Sequence, residues 1–289
     1  MRLILLLVMA LFALGARAEV AVTDDMGTRV VLARPAQRIV SLAPHLTELL
    51  FAAGAGDRLV GVGAYSDYPA AARALPRVGD AVLLDLERVV ALKPDLIVVW
   101  QDGNAPQQLQ RLAALGLPVY ASRLESLADI AATLRRLGTL AGTAAAAQAR
   151  AGAYEGELAA LRQRYAGRRE LKVFYQIWHQ PLLTVNGTHL ISQALQLCGA
   201  RNVFAGLAAL TPTVSAEAVL AAAPDVIVTG RAGPDGEDRL ELWRRLRATR
   251  HLPLLTVDAD TLHRSSDRIV DGVRELCEKL DGVRLQKRP

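Results

Sequence analysis

Leu86-Glu87-Arg88-Val89-Val90-Ala91-Leu92-Lys93-Pro94-Asp95-Leu96-Ile97-Val98 and Ala216-Glu217-Ala218-Val219-Leu220-Ala221-Ala222-Ala223-Pro224-Asp225-Val226-Ile227-Val228 are two copies of one pattern, 130 positions apart. Each reads as a short helix stopped by Pro-Asp and followed at once by a β-branched apolar strand. That is the αβ half of a parallel-sheet unit, because the residue before proline leaves the helical region and an uninterrupted apolar strand must be buried on both faces. Two copies so far apart imply two similar α/β lobes and a cleft between them.

Working outward, the first lobe reads as strand 38–42, helix 45–53 ended by Gly54, strand 59–62, helix 86–92, strand 95–100, helix 105–115 ended by Gly116, and strand 118–121. The second repeats it: strand 172–177, helix 189–198 ended by Gly199, a short strand near Val203-Phe204, helix 216–222, strand 225–229, helix 238–247, strand 253–257 and a closing helix 267–280. Between the lobes, Ser126 to Tyr165 is helical in composition. Gly138 and Gly142 are expected to separate two helices, the second running from Thr143 to about Ala166 as a stiff strut. Residues 19–36 read as an N-terminal β-arm turning at Asp25-Met26-Gly27. The expected domains are therefore 37–140 for the first lobe, 141–168 for the interlobe helix and 169–289 for the second lobe.

Residues 1–18 have the form of an export signal: Arg2, an apolar core from Leu3 to Leu14 too short to span a bilayer, and Ala16-Arg17-Ala18 as a small-x-small cleavage site. No cysteine stands at that junction, so an exported protein without a membrane anchor is expected, periplasmic in location. The formal net charge of +5 includes Arg2 and Arg17, and the basic stretches 162–172 and 239–250 are broken by Glu170 and Glu241. They read as solvated helix faces, and a nucleic-acid partner is not expected. The two cysteines, Cys198 and Cys277, fall in an exported chain, where pairing is the default and would close a loop of 79 residues. Two buried free thiols are the alternative.

In an open parallel sheet a ligand sits beyond the carboxyl ends of the strands. Aromatic residues are only 4% of the chain, yet Tyr65, Tyr68, Trp100, Tyr120, Tyr175 and Trp178 all fall there, which points to a flat or bulky ligand. His45, His179 and His263 fall at strand ends too. They could converge on a metal, but no acidic or His-rich loop accompanies them, and hydrogen-bonding wall residues are the simpler reading. Gly61-Val62-Gly63 begins like a dinucleotide loop without completing one. No G-x-S-x-G, Walker or H-E-x-x-H motif occurs, so neither catalysis nor a metal site is expected. Glu87 and Glu217 stand at the same place in the two copies, each in a first helical turn after a candidate N-cap, Asp85 or Ser215. They favour the helix dipole, or present matched acids to a two-fold partner.

Ser41-Leu42-Ala43-Pro44 with Thr47-Glu48, Tyr65-Ser66-Asp67-Tyr68-Pro69, the Leu86 to Asp95 run, Val214-Ser215-Ala216-Glu217 and the strand end Trp100 resemble the cobalamin (vitamin B12) binders of the ABC importers, from about residue 37 to 280. These belong to the helix-linked metal-receptor group of substrate-binding proteins, which also carries siderophores and haem. The resemblance implies two Rossmann-like α/β lobes joined by one long rigid helix, the class III periplasmic binding protein architecture. It also implies cobalamin or a related corrinoid as transported ligand, with no resident cofactor and no turnover. By motif, Tyr65 and Trp100 would pack on the ligand from the first lobe and Asp260-Thr261-Leu262-His263-Arg264 from the second. Glu87 and Glu217 would dock on the dimeric transmembrane permease, and Cys198 would pair with Cys277. Where that family has tryptophans, this chain has Ala81 and Thr211; Trp178, at a neighbouring strand end, is the expected replacement. Haem or a ferric siderophore in the same scaffold is the alternative ligand. A periplasmic enzyme using the cleft is the alternative from another class.

Overall fold

In the computed structural model, which describes residues 19–231 and 239–286, both Pro-Asp segments do the same mechanical job. Helix α2 (Leu86–Ala91) turns into strand β5 (Leu96–Trp100), and helix α7 (Ala216–Ala221) turns into β9 (Val226–Gly230). At both corners a non-glycine residue adopts a left-handed backbone, Lys93 at φ 49° and Ala223 at φ 46°. The aspartate that follows then ties the corner to the neighbouring strand. The Asp95 carboxylate accepts from the Gln37 and Arg38 amides at 2.8–3.0 Å, and Asp225 accepts from the Lys172 amide at 2.9 Å. Left-handed backbone costs a β-carbon-bearing residue about 1–3 kcal/mol and persists where surrounding bonds over-determine it.

The two lobes have the same topology. The first sheet contains β3 (Ile39–Ser41), β4 (Leu59–Val62), β5 and β6 (Val119–Ser122), all parallel, in the order β4-β3-β5-β6. The second contains β7 (Leu171–Gln176), β8 (Ala200–Asn202), β9 and β10 (Leu254–Val257), all parallel, in the order β8-β7-β9-β10. Numbered locally, each is 2-1-3-4, so the duplication read from sequence extends to strand order. Helices α1 (Pro44–Ala52), α3 (Pro106–Ala114), α6 (Leu190–Leu197) and α10 (Ile269–Gln286) complete the pattern. Val40, Ile97, Val89 and Leu112 are fully buried in one core, and Phe174, Ile227, Val219 and Trp243 in the other.

The N-terminal arm is the antiparallel hairpin β1 (Val20–Thr23) and β2 (Arg29–Leu32), closed by the Asp24 carboxylate on the Met26 and Thr28 amides. Helices α4 (Leu127–Ala141) and α5 (Ala144–Tyr165) follow the first lobe. The chain divides into two compact units, one holding residues up to Arg123 with Arg135–Ala147, the other Leu124–Leu134 with residues from Gln148 onward. Both long helices therefore contribute to both units.

Gly138 does not end a helix; it lies inside α4, where an added Cβ would come within 2.2 Å of the Ala147 side chain, so glycine serves close helix packing. Gly142 alone makes the break, at φ 69°. The strand expected near Val203-Phe204 is β8, at Ala200–Asn202, because Asn202 closes the following turn through the Phe204 amide. The expected helix 238–247 is the short α8 (Glu241–Arg245) followed by a 3₁₀ turn, and its first residue lies outside the described residues, as does the export signal. The closing helix runs on to Gln286. Among the described residues no helix is long and apolar enough to cross a membrane.

Cys198 and Cys277 form a disulfide between the end of α6 and the middle of α10, and both are fully buried. Beside it, Arg284 donates to the carbonyls of Cys198 at 2.7 Å and Gly199 at 2.8 Å, so α10 is fastened to α6 twice.

Candidate functional site

In the first lobe three loops at the carboxyl ends of the strands are bonded into one surface. The Ala64 amide donates to the Gly79 carbonyl at 2.7 Å, and the Ala105 amide to the Ala81 carbonyl at 2.8 Å. Tyr65 stands on this surface at φ 62° and 79% exposed. Beneath it, buried Ser66 meets the Thr47 hydroxyl at 3.1 Å, and Arg77 donates to the Ser66 carbonyl at 2.7 Å. The loop is thus hooked from below while its aromatic ring faces outward, which is the energetic arrangement expected of a presented contact residue.

Trp100 is presented differently. Its amide donates to the Asn104 side chain at 2.8 Å, and Asn104 donates in turn to the Leu42 carbonyl at 3.3 Å. The indole meets buried His45 edge-on at 5.2 Å between ring centres and lies over Gly103, where an added Cβ would stand 1.8 Å from a ring atom. Gly103 has no left-handed backbone, so alanine there is opposed by the indole alone. We expect Gly103→Ala to leave the fold intact, displace the indole and weaken ligand binding about tenfold, the scale of one lost aromatic contact. Tryptophan fluorescence and a binding titration would check this; unchanged affinity would show that Trp100 is not a contact.

In the second lobe, helix α9 (Ala259–Leu262) lies between the expected strand 253–257 and the expected closing helix. It forms because Asp258 caps it, accepting from the Asp260 amide at 2.8 Å, while its own amide donates to Glu275 at 2.8 Å. Gly272 of α10 permits the approach, since an added Cβ would stand 2.8–2.9 Å from Leu262 backbone and side-chain atoms. Asp260 is exposed, Thr261, His263 and Arg264 are half-buried, and Asp260 pairs with Arg264 at 3.4 Å. Leu262 is not with them: it is 1% exposed and packs inward on α10. Just beyond the end of β7 stands Trp178, 42% exposed, whose indole nitrogen donates to the Gln180 carbonyl at 3.0 Å. His179 lies against it, ring centres 5.3 Å apart, and the Arg239 guanidinium lies over the indole with Cζ 5.1 Å from the ring centre.

Tyr120 and Tyr175 depart from the expected set. Both are fully buried, because successive side chains of a strand alternate between its two faces and these two point into a covered layer. Tyr175 meets His263 Nε2 at 2.8 Å, which occupies that nitrogen. Burial drives the His263 pKa down to about 4, helped by repulsion from His189 once that ring is protonated and from Arg239; burial alone drives His189 to about 4. Both imidazoles are neutral in the folded lobe but protonate near the ordinary 6.5 when it unfolds. The unfolded state therefore binds more protons in this window. Stability is full above pH 6.5 and falls as pH drops toward 4. A urea midpoint for this lobe that is lower at pH 5 than at pH 7, with the difference reduced in His189→Gln/His263→Gln, is the expected measurement. His45, in the first lobe, is engaged with Trp100. Among the described residues no group of three His, Cys, Asp or Glu side chains is placed to hold a metal.

The apolar loop tips carry no sequence motif. Val82 is 75% and Leu83 69% exposed, immediately after Ala81, and Leu210 is 53% exposed, immediately before Thr211. The second pair of loops is joined by the Asn186 amide on the Leu210 carbonyl at 2.9 Å and the Thr184 amide on the Pro212 carbonyl at 3.0 Å. Exposed aliphatic surface thus stands one residue from Ala81 and one residue from Thr211. The Val82-Leu83-Leu84 run between Asp80 and Asp85, and Leu210 before Thr211-Pro212, are the signal in the sequence.

Glu87 and Glu217 are both exposed in the first turns of α2 and α7, which are capped by Asp85 and Ser215 through the amides three residues on. The Glu217 carboxyl is held below the ordinary carboxylate range by its own backbone amide and the Ser215 hydroxyl.

Residues 39–260 match the periplasmic binding protein family. A vitamin B12-binding protein of Vibrio parahaemolyticus is 35% identical over 254 residues, 88% of this chain and 92% of the relative. The crystal structure of the periplasmic vitamin B12 binding protein BtuF of Vibrio cholerae aligns with a TM-score of 0.80 at 36% identity, covering 88% of this chain and 99% of that one. A periplasmic haem binding protein from Pseudomonas aeruginosa aligns at 0.71 with 25% identity, covering 84% and 91%. With the doubled 2-1-3-4 sheets and a match over most of its length, this chain belongs to the periplasmic binding protein family.

Proposed function

We propose that this protein is a periplasmic carrier that captures cobalamin or a close corrinoid and delivers it, chemically unchanged, to an ABC importer. Similarity to vitamin B12-binding proteins across nine-tenths of their length carries the reading. The site chemistry agrees with it. Tyr65, Trp100, Val82 and Leu83 in one lobe and Trp178 and Leu210 in the other offer exposed aromatic and aliphatic area for a broad ring edged with apolar groups. Asp260, Thr261 and Arg264 supply polar contacts for its amide side chains, and His263 lines that edge from a half-buried position. Glu87 and Glu217 serve the dimeric permease. The ligand is cargo, and no side-chain chemistry on it is required.

Titration calorimetry with cyanocobalamin tests this directly, with saturable binding at micromolar concentration or below as the expected result. Absence of heat at that concentration would sink the corrinoid. Haem is the second reading, favoured by the haem binding structure from Pseudomonas aeruginosa. A Soret band in protein purified from iron-replete cells would decide for it.

A further inference from the structure

Arginines around the second lobe's strand ends are matched with acids: Arg231 meets Glu275 at 2.9 Å and Arg264 meets Asp260 at 3.4 Å. Arg239 is the exception. Its Nε is buried without a hydrogen-bond partner, and among the described residues no carboxylate or carbonyl meets its guanidinium. The side chain is held instead by Trp178, with Cζ 5.1 Å from the indole centre. Such a contact uses the cation's charge and leaves its N–H donors for another partner.

The position is also fixed from behind. The Arg239 carbonyl accepts from the Gln176 side chain at 2.7 Å, and the same amide group accepts from the indole nitrogen of fully buried Trp243 at 2.6 Å. The following residue, Leu240, is 2% exposed. Arg239 is thus anchored by its backbone to the end of β7, beside the exposed ring of Trp178 and close enough to His263 for its charge to be felt there. A desolvated donor left unpaired is costly, and a planar guanidinium is best matched by a charged acceptor with two oxygens.

Building on the corrinoid reading, we infer that Arg239, carried on Trp178, reads the anionic phosphodiester of the ligand's nucleotide loop. The corrin amides are neutral, whereas the phosphodiester is ionised at every physiological pH and offers two oxygens to the guanidinium fork. Arg239 would then separate complete cobalamins from corrinoids that lack the nucleotide.

The test compares cyanocobalamin with dicyanocobinamide, which has the ring but no phosphodiester, on the full chain and on Arg239→Met and Arg239→Lys. Arg239→Met is expected to weaken cyanocobalamin about 10- to 100-fold, the range of one lost charge-assisted contact, and dicyanocobinamide less than about threefold. Arg239→Lys should recover part of the loss, because the charge remains and the fork does not. Retained cobinamide binding also reports that the variant is folded. Unchanged cyanocobalamin affinity in Arg239→Met would overturn the assignment, as would equal weakening of both ligands, which would reduce Arg239 to a support for Trp178. If the unaltered protein binds neither corrinoid, the functional reading itself falls and takes this one with it.

Discussion

Replacing Glu87 and Glu217 together by alanine is expected to abolish importer-dependent cobalamin uptake while leaving cobalamin affinity within about twofold. The two acids occupy equivalent first-turn positions in helices that the duplication made alike, and both are exposed with no ion pair among the described residues. A two-fold partner offering one basic pocket per half would engage both at once, and breaking both contacts removes the bivalent hold. The helices themselves survive, because the Asp85 and Ser215 caps remain. Each single variant should retain partial uptake. Uptake in a strain lacking its own carrier, alongside calorimetry on the purified double variant, would check the prediction. Normal uptake would reduce the acids to helix-end electrostatics.

The second large effect concerns Cys198 and Cys277. Removing their disulfide by Cys198→Ala/Cys277→Ala is expected to destabilise the second lobe by about 4 kcal/mol, since 79 residues of chain regain freedom in the unfolded state. Alanine is the appropriate replacement because both positions are fully buried, and a serine hydroxyl would need a partner there. Arg284 still fastens α10 to the Cys198 and Gly199 carbonyls, so the lobe should fold, with a melting temperature lower by on the order of 10 °C. Denaturant unfolding in oxidised and reduced buffer would measure it. A difference below about 1 kcal/mol would mean that the unfolded lobe is already compact enough for the crosslink to constrain little.

The features legible in the sequence were those governed by local chemistry. Gly54, Gly116 and Gly199 all adopt positive φ after helices, as helix-stopping glycines should. Strands ending in Trp100 and Gln176, and helices capped by Asp85 and Ser215, fall within a residue or two of their expected bounds. Gly138 was misread because the same residue serves as a stop and as a close-packing site, and only the neighbour at Ala147 distinguishes the two. The aromatic set was misread for a related reason. A period of two places a strand-end side chain on one face or the other, but whether that face is covered depends on what packs there, and Tyr120 and Tyr175 are covered.

The sequence by itself determined the doubled α/β pattern, the Pro-Asp corners and the places where strands end, because apolar period, helix stops and turn chemistry act over a few residues. Tertiary structure alone decided that Tyr65 and Trp100 face outward while Leu262 turns in, that Gly103 lies under an indole, and that Arg239 rests on Trp178. Those outcomes depend on which distant side chain occupies the neighbouring space, and no local propensity records that.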